Sequence, residues 1–187
     1  MSHGFQPRKL RLLQISAIFI AAFVLLALFA APANANSAGP IYNGTGWCMG
    51  VQGSSRVSGA AILVGGCAGT ATQHWDVRST RYVPNGQVGF QLWNGYPGGV
   101  RMCLGVQGSS TVSGARMVQG NCVNDTAGGH LSQFWIIPSG SSQLINALSG
   151  WCMGLVGGRT DSGTAVDQGH CVAHDLTQEW YGLPLGR

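Results

Sequence analysis

The feature that most constrains the fold of this chain is a cysteine-bearing phrase that occurs three times. The first copy, from Cys48, reads CMGVQGSSRVSGA, the second, from Cys103, reads CLGVQGSSTVSGA, and a diverged third, from Cys152, reads CMGLVGGRTDSGT. Self-similarity at a fixed period is the sequence signature of a fold assembled from repeated units. We therefore expect three equivalent units, each too small to bury its own apolar face alone.

Further marks accompany each phrase and define the extent of the unit. A Gln-x-Trp tripeptide follows each phrase, and an apolar residue paired with Asn precedes it. The tripeptides contribute Gln73 and Trp75, Gln133 and Trp135, and Gln178 and Trp180, while the preceding pairs are Tyr42-Asn43, Trp93-Asn94 and Ile145-Asn146. The units thus span about residues 40–83, 88–138 and 142–185. Because a Trp at the same phase of every unit suits a symmetric core, we predict that all three Gln-x-Trp tryptophans are buried.

The N-terminal segment has the order of a secretory signal peptide. Three basic residues (Arg8, Lys9 and Arg11) precede an apolar run over 15–31, and Ala33-Asn34-Ala35 fits the small-x-small cleavage rule. We predict that residues 1–35 are removed and that the protein is secreted. A retained membrane anchor is the alternative, because the apolar run approaches the length that spans a bilayer.

Removing this segment leaves a nearly neutral domain over residues 36–187. Three of the ten Lys and Arg residues belong to the segment, so seven Arg face six Asp and Glu. No basic cluster is left to attract phosphate groups, which argues against a nucleic-acid partner. A chain of this length suits one domain, which we expect to be a monomer.

The cysteines fall into three local pairs with one spacing. Nineteen positions separate the two members of each pair: Cys48 and Cys67, Cys103 and Cys122, and Cys152 and Cys171. An exported chain reaches an oxidising compartment, so these pairs are predicted to be disulfides. Zinc ligation is the alternative, but it favours closely spaced pairs such as Cys-x-x-Cys, which this sequence lacks.

Glycine-rich sequence leaves little room for helices and favours short strands. Runs of four to six apolar and β-forming residues lie between turn formers at 90–93, 115–119, 134–137 and 142–146. An open solenoid would need atypical end units, whereas all three units here carry the full set of marks. An all-β closed barrel with threefold pseudo-symmetry is therefore the expected architecture.

The combination of Cys-(Met/Leu)-Gly, Ser-Gly, Cys and Gln-x-Trp, three times over, resembles the ricin B-type lectin domain, a carbohydrate-binding module. The resemblance covers about residues 40–185. It implies a β-trefoil fold with four strands per unit, in which six strands form a barrel and three hairpins close it. It also implies a glycan or polysaccharide as the partner.

The sugar-binding positions of that family are mostly altered in this chain. The family's Asp two residues after the first cysteine corresponds to Gly50, Gly105 and Gly154, and its aromatic residue two before the second cysteine corresponds to Gly65, Gly120 and Gly169. Its polar residue four before that cysteine corresponds to Leu63, Val118 and Asp167. Only the third unit keeps a polar side chain there, so we predict weak or atypical glycan recognition by Asp167 together with Gln168, His170 and Gln178.

No catalytic apparatus is recognisable in the repeat units. His170 and His174 have a spacing that joins two metal ligands on a helix, but Cys171 lies between them in a strand-and-turn unit. Asp167 and Asp175 lack a neighbour that would tune them as general acid and base. We therefore predict a non-enzymatic domain without metal or cofactor. The alternative to a glycan-binding role is a trefoil scaffold that binds or inhibits a protein partner.

Overall fold

The computed structural model describes Met1 and residues 38–94, 101–123 and 130–183. Apart from Met1, the predicted signal peptide lies outside these residues, so its cleavage stays a prediction. In the described ranges, no helix is long and apolar enough to cross a bilayer. Residues Asn36–Arg187 form one compact unit, and the fold described below belongs to it.

The described part of this unit is built from short strands. They are β1 (Gly39–Pro40), β2 (Tyr42–Asn43), β3 (Cys48–Val51), β4 (Ile62–Gly65), β5 (His74–Tyr82), β6 (Val88–Asn94), β7 (Met102–Val106), β8 (Met117–Asn121), β9 (Trp135–Ile136), β10 (Ile145–Asn146), β11 (Cys152–Leu155), β12 (Val166–Gly169) and β13 (Trp180–Tyr181). Single 3₁₀ turns at 52–54, 107–109 and 156–158 follow β3, β7 and β11. The middle residue of each turn is a glycine, Gly53, Gly108 or Gly157, in the left-handed backbone conformation that glycine adopts readily.

Antiparallel pairing closes a ring of strands. β1 pairs with β5, β5 with β6, β6 with β9 and β9 with β10. A bridge between Gln143 and Glu179 continues the ring to β13, which pairs with β2. The last strand of the chain therefore lies beside one of the first, and closure removes the unpaired edges of an open sheet. The all-β trefoil prediction is confirmed.

Each unit adds a hairpin to this ring, and a disulfide fastens its base. The hairpins are β3–β4, β7–β8 and β11–β12, all in the same register, with the first cysteine opposite a glycine two residues before the second. The predicted disulfides Cys48–Cys67, Cys103–Cys122 and Cys152–Cys171 are all formed. The near identity of the first two phrases thus reflects equivalent hairpins.

The three Gln-x-Trp tryptophans lie in the shared core. Trp75, Trp135 and Trp180 are almost fully buried among Ile, Leu, Val and Met side chains. Each indole Nε1 donates a hydrogen bond to the carbonyl of the residue after its unit's first cysteine, which is Met49, Leu104 or Met153. Each tryptophan therefore ties the end of its unit to its own hairpin while filling the common core.

Side chains on β8 and β12 lock one unit onto the next. Gln119 Nε2 donates to the Ser55 and Val57 carbonyls of the first unit, and Gln168 Nε2 donates to the Ser110 and Val112 carbonyls of the second. Both glutamines are buried. Val64 holds the equivalent place in the first unit, where the backbone bond from Gly163 N–H to the Val64 carbonyl makes the connection to the third.

Two further tryptophans join neighbouring units at their edges. Trp47 Nε1 donates to the Thr160 carbonyl over 2.6 Å, and Trp151 Nε1 donates to the Thr111 carbonyl over 2.8 Å. Both precede the first cysteine of their unit, where the second unit has the buried Met102. These side chains contact the loop of the adjacent hairpin, so their structural role is between units.

Candidate functional site

The glutamine of Gln-x-Trp clamps the chain around the second cysteine. In the first unit, Gln73 Oε1 accepts from Ala68 N–H and Gln73 Nε2 donates to the Gly66 carbonyl. The same two bonds recur in the other units: Gln133 with Val123 N–H and the Asn121 carbonyl, and Gln178 with Val172 N–H and the His170 carbonyl. Both polar atoms of each glutamine side chain are therefore hydrogen-bonded within its own unit.

The glycine two residues after each first cysteine makes room for this glutamine. A Cβ at Gly50, Gly105 or Gly154 would lie 2.9 Å from Cγ of Gln73, Gln133 or Gln178. Carbon atoms at that separation clash, so any larger side chain would displace the clamp. The absence of the family's carboxylate and the internal position of the glutamine are thus two aspects of one packing arrangement.

Glycine-lined cavities lie on the hairpins of the first two units. The first unit has a surface cavity of about 270 Å³ bordered by Gly50, Leu63, Gly65 and Gln73. The second has one of about 330 Å³ bordered by the equivalent Gly105, Val118, Gly120 and Gln133. The positions that the resemblance assigns to sugar binding therefore do border cavities, but their side chains there are mostly apolar or absent.

Serines from the neighbouring unit approach these positions. Ser58 borders the cavity of the second unit. A Cβ at Gly65 would lie 3.6 Å from Ser162 Oγ, and one at Gly169 would lie 3.8 Å from Ser113 Oγ. Sequence reasoning missed these serines as site residues, because Ser-Gly is ordinary turn composition. The recurrence of Ser-Gly at one phase of all three phrases is the signal that could have found them.

Asp167 occupies the same place in the third unit as Leu63 and Val118 in the other two. It lies on β12 opposite Gly154, and its backbone also forms an isolated antiparallel β-bridge with Arg116 of the second unit. The side chain is half-buried, and burial raises the pKa of this carboxyl, while the charge of Arg116 acts against that shift. The third unit therefore presents a partly desolvated carboxylate where the others present an aliphatic side chain.

The other residues grouped with Asp167 lie in different surroundings. Gln168 points to the opposite side of β12, because neighbouring residues of a strand alternate in direction. Its Oε1 accepts from Ser149 Oγ, in addition to the two bonds that Nε2 donates. Gln178 is buried as the clamp of its unit. Neither glutamine has a side-chain polar atom without a protein partner.

His170 is exposed and lies next to Trp151. The two rings meet edge to face with 4.3 Å between their centroids. The carbonyl of His170 is already bonded to Gln178, but its imidazole faces solvent. The structure thus places Asp167 on β12 and His170 directly after its end, with Asp167 half-buried and His170 exposed.

The charged residues of the third unit separate into local pairs. Arg159 and Asp161 form an exposed ion pair, and Asp175 accepts from the N–H and hydroxyl of Thr177. Over the described ranges, no three His, Cys, Asp or Glu side chains are grouped so as to hold a metal ion.

Comparison with known proteins yields one family match. The family model described as the ricin-type beta-trefoil lectin domain matches residues 37–180. A comparison with curated protein sequences found no match. The family match includes both cysteines of every pair and all three Gln-x-Trp tripeptides.

Solved structures with the same architecture include three of interest. ThreeFoil, a designed threefold symmetric protein, has a TM-score of 0.62 at 21% identity and covers 78% of this chain and 96% of its own. The exo-beta-1,3-galactanase 1,3Gal43A from Clostridium thermocellum has a TM-score of 0.63 at 16% identity, with 79% of this chain and 30% of that enzyme aligned. The C-half of the earthworm R-type lectin, solved with GalNAc, has a TM-score of 0.50 at 9% identity, with 76% and 94% coverage. This chain spans less than a third of the galactanase, and identities this low establish the fold alone.

Proposed function

This chain belongs to the family of ricin-type β-trefoil lectin domains, and from that premise we propose that it is a secreted carbohydrate-binding module with weak, atypical glycan recognition. The earthworm lectin in the comparison is described in complex with GalNAc, which supports a glycan as the class of ligand. In this proposal the protein is a monomer without enzymatic activity and binds glycans at its surface.

The observation that carries the proposal is the half-buried carboxylate of Asp167 at the family's binding position. Sugar hydroxyls donate well to a charged acceptor, and such hydrogen bonds contribute about 1.5–3 kcal/mol. The exposed His170 follows directly after the end of the same strand, β12. Asp167 therefore supplies the charged acceptor of the proposed site.

The first two units contribute less to binding in this proposal. Their cavities present Leu63 and Val118 in place of a carboxylate, and their glutamines are bonded within the protein. Neutral hydrogen bonds to backbone groups contribute only about 0.5–1.5 kcal/mol each. A single sugar is therefore bound no more tightly than about millimolar.

A glycan array probed with the purified chain tests the proposal, with Asp167→Ala as the decisive variant. We expect the variant to fold and to lose the part of the binding that depends on the third hairpin. Val118→Ala is the matched control, because it truncates the equivalent residue of the second unit, and it should bind like the unmodified protein. An array without any signal would contradict the lectin function and favour the protein-binding scaffold.

N-terminal sequencing of secreted material, with Asn36 expected as the first residue, tests the export part of the proposal.

A further inference from the structure

We infer that the seam where the barrel closes carries a second saccharide site, formed by Tyr181, Glu179 and Ser142 and separate from the three hairpin positions. The inference rests on the proposed carbohydrate-binding function. It starts from a surface cavity of about 370 Å³ bordered by Ile137, Ser141, Ser142, Tyr181 and Leu183. This volume falls in the range of small-molecule sites, and both apolar and hydroxyl-bearing side chains line it.

An exposed aromatic surface adjoins the cavity. Tyr181 on β13 and Tyr42 on β2 lie directly opposite each other, and their rings stack with 5.8 Å between centroids and an interplanar angle of 28°. The two residues are 36% and 41% exposed. Tyrosines that present this much apolar ring surface while keeping a polar end wet are typical of recognition surfaces. The C–H face of a pyranose ring can lie against such a surface.

A carboxylate stands at the rim of this aromatic surface. The Tyr181 hydroxyl donates to Glu179 Oε2 over 2.6 Å. The carboxylate raises the pKa of Tyr181, while hydrogen bonding from the Ser142 side chain acts in the opposite direction. The phenol thus stays protonated at neutral pH and orients Glu179, and the side-chain oxygens of Ser142, Tyr181 and Glu179 come together. Each of them can bond to a sugar hydroxyl.

The chemistry selects a neutral saccharide as the ligand class. An aromatic face beside a carboxylate and hydroxyl groups provides stacking for C–H groups and charged acceptors for O–H groups. The hairpin positions of the first two units have glycine where both kinds of group would stand. In this chain the pairing of aromatic ring and carboxylate is found at the seam between β13 and β2.

Chemical-shift titration of the ¹⁵N-labelled chain with methyl β-galactoside, methyl β-glucoside and methyl β-xyloside tests the inference. We expect at least one glycoside to shift the amides of residues 140–142 and 179–183 in a saturable way. Tyr181→Ala removes the stacking surface, and Glu179→Gln removes the charged acceptor. Each variant should weaken this binding by about tenfold or more. Glu179→Gln preserves shape, so it keeps the test valid if Tyr181→Ala does not fold.

Tyr82→Ala is the matched control, because Tyr82 is an even more exposed tyrosine on the β5–β6 hairpin. It should leave the shifts and the affinity unchanged. Binding that Asp167→Ala abolishes but both seam variants retain would overturn the seam site and leave the proposed function standing. An absence of shifts with every glycoside, together with a blank glycan array, would overturn both.

Discussion

At the scale of single residues, the glycine after each Cys-(Met/Leu) pair and the glutamine of Gln-x-Trp depend on each other. The glycine leaves the space in which the glutamine side chain lies, and the glutamine then holds the backbone on both sides of the second cysteine. This coupling explains why both residues recur in all three units. It also means that a carboxylate cannot be introduced at the glycine position without disturbing the clamp.

We predict that Gly50→Ala lowers the free energy of unfolding by about 1–3 kcal/mol, because the added methyl group overpacks the Gln73 side chain. Gly66→Ala is the matched control in the same unit, since no heavy atom lies within 4 Å of its added Cβ. It should be neutral or slightly stabilising. Urea denaturation of both variants measures the difference, and equal effects would refute the packing argument.

Asp167 gives a prediction about pH. Its folded-state pKa is raised, chiefly by burial, so the folded protein holds this proton more tightly than the unfolded chain. The stability of the wild-type protein is therefore least affected below the ordinary Asp pKa of about 3.9 and falls as the pH rises through the folded value. Asp167→Asn should be more stable than wild type at pH 7, and this advantage should vanish in acid.

Thermal unfolding over a pH series measures this effect. Asp161→Asn is the control, because Asp161 is exposed and its substitution should change stability by no more than about 0.5 kcal/mol. A stabilisation by Asp167→Asn that persists below pH 3.9 would argue against a desolvated carboxylate.

Sequence reasoning reached some of these residues and missed the environment of others. The positions of Asp167 and the three tryptophans follow from the phase of the repeat, because equivalent positions take equivalent places in the fold. Gln168 looked like a ligand because it adjoins Asp167. Its partners, the Ser110 and Val112 carbonyls, come from the preceding unit, so no local pattern reveals that it is buried.

At the scale of elements, the hairpins are held by contacts with the hairpin of the neighbouring unit. Gln119, Gln168, Trp47 and Trp151 all donate to carbonyls of an adjacent loop. The loops therefore depend for their conformation on a different unit from the one that contains them. A loop of this kind keeps its shape only in the assembled trefoil.

We predict that Gln168→Ala costs about 1–3 kcal/mol of unfolding free energy, because it deprives two carbonyls of their donor and leaves a buried gap. Gln107→Ala is the control, since Gln107 is an exposed glutamine of the second unit, and it should stay within about 0.5 kcal/mol of wild type. Denaturant unfolding monitored by tryptophan fluorescence gives both values. A neutral Gln168→Ala would mean that solvent replaces the lost donor.

The predicted runs locate strands correctly, but the limits of those strands differ from the limits of the runs. The predicted run 90–93 lies inside β6, and 134–137 contains β9. The run 115–119 is displaced by two residues from β8 (Met117–Asn121), and 142–146 shrinks to β10 (Ile145–Asn146). Bridges at Arg116 and Gln143 carry these runs into the sheet without forming full strands. Strand limits depend on the partner strand, which the local sequence does not contain.

At the scale of the whole molecule, three equivalent disulfides brace a closed ring. Each disulfide joins cysteines with a sequence separation of 19 and closes the base of the equivalent hairpin in its own unit. Loop-closure entropy depends on loop length, so the three bonds should contribute similarly. We predict that replacing any one cysteine pair by serines lowers the unfolding free energy by about 3 kcal/mol.

Urea unfolding of the three double-serine variants, compared at equal denaturant slope, measures these contributions. Three similar losses are expected. If one variant matched wild type while another failed to fold, the units would be unequal despite their symmetry. Peptide mapping under non-reducing conditions confirms that the remaining pairs stay local.

The pairing of β13 with β2 also determines the stage of synthesis at which the barrel can be completed. Tyr42 emerges early in synthesis, but its partner Tyr181 is among the last described residues. Contacts between such distant positions slow folding, since the intervening chain must be brought together first. The nascent chain therefore cannot complete its barrel until Tyr181 has been synthesised.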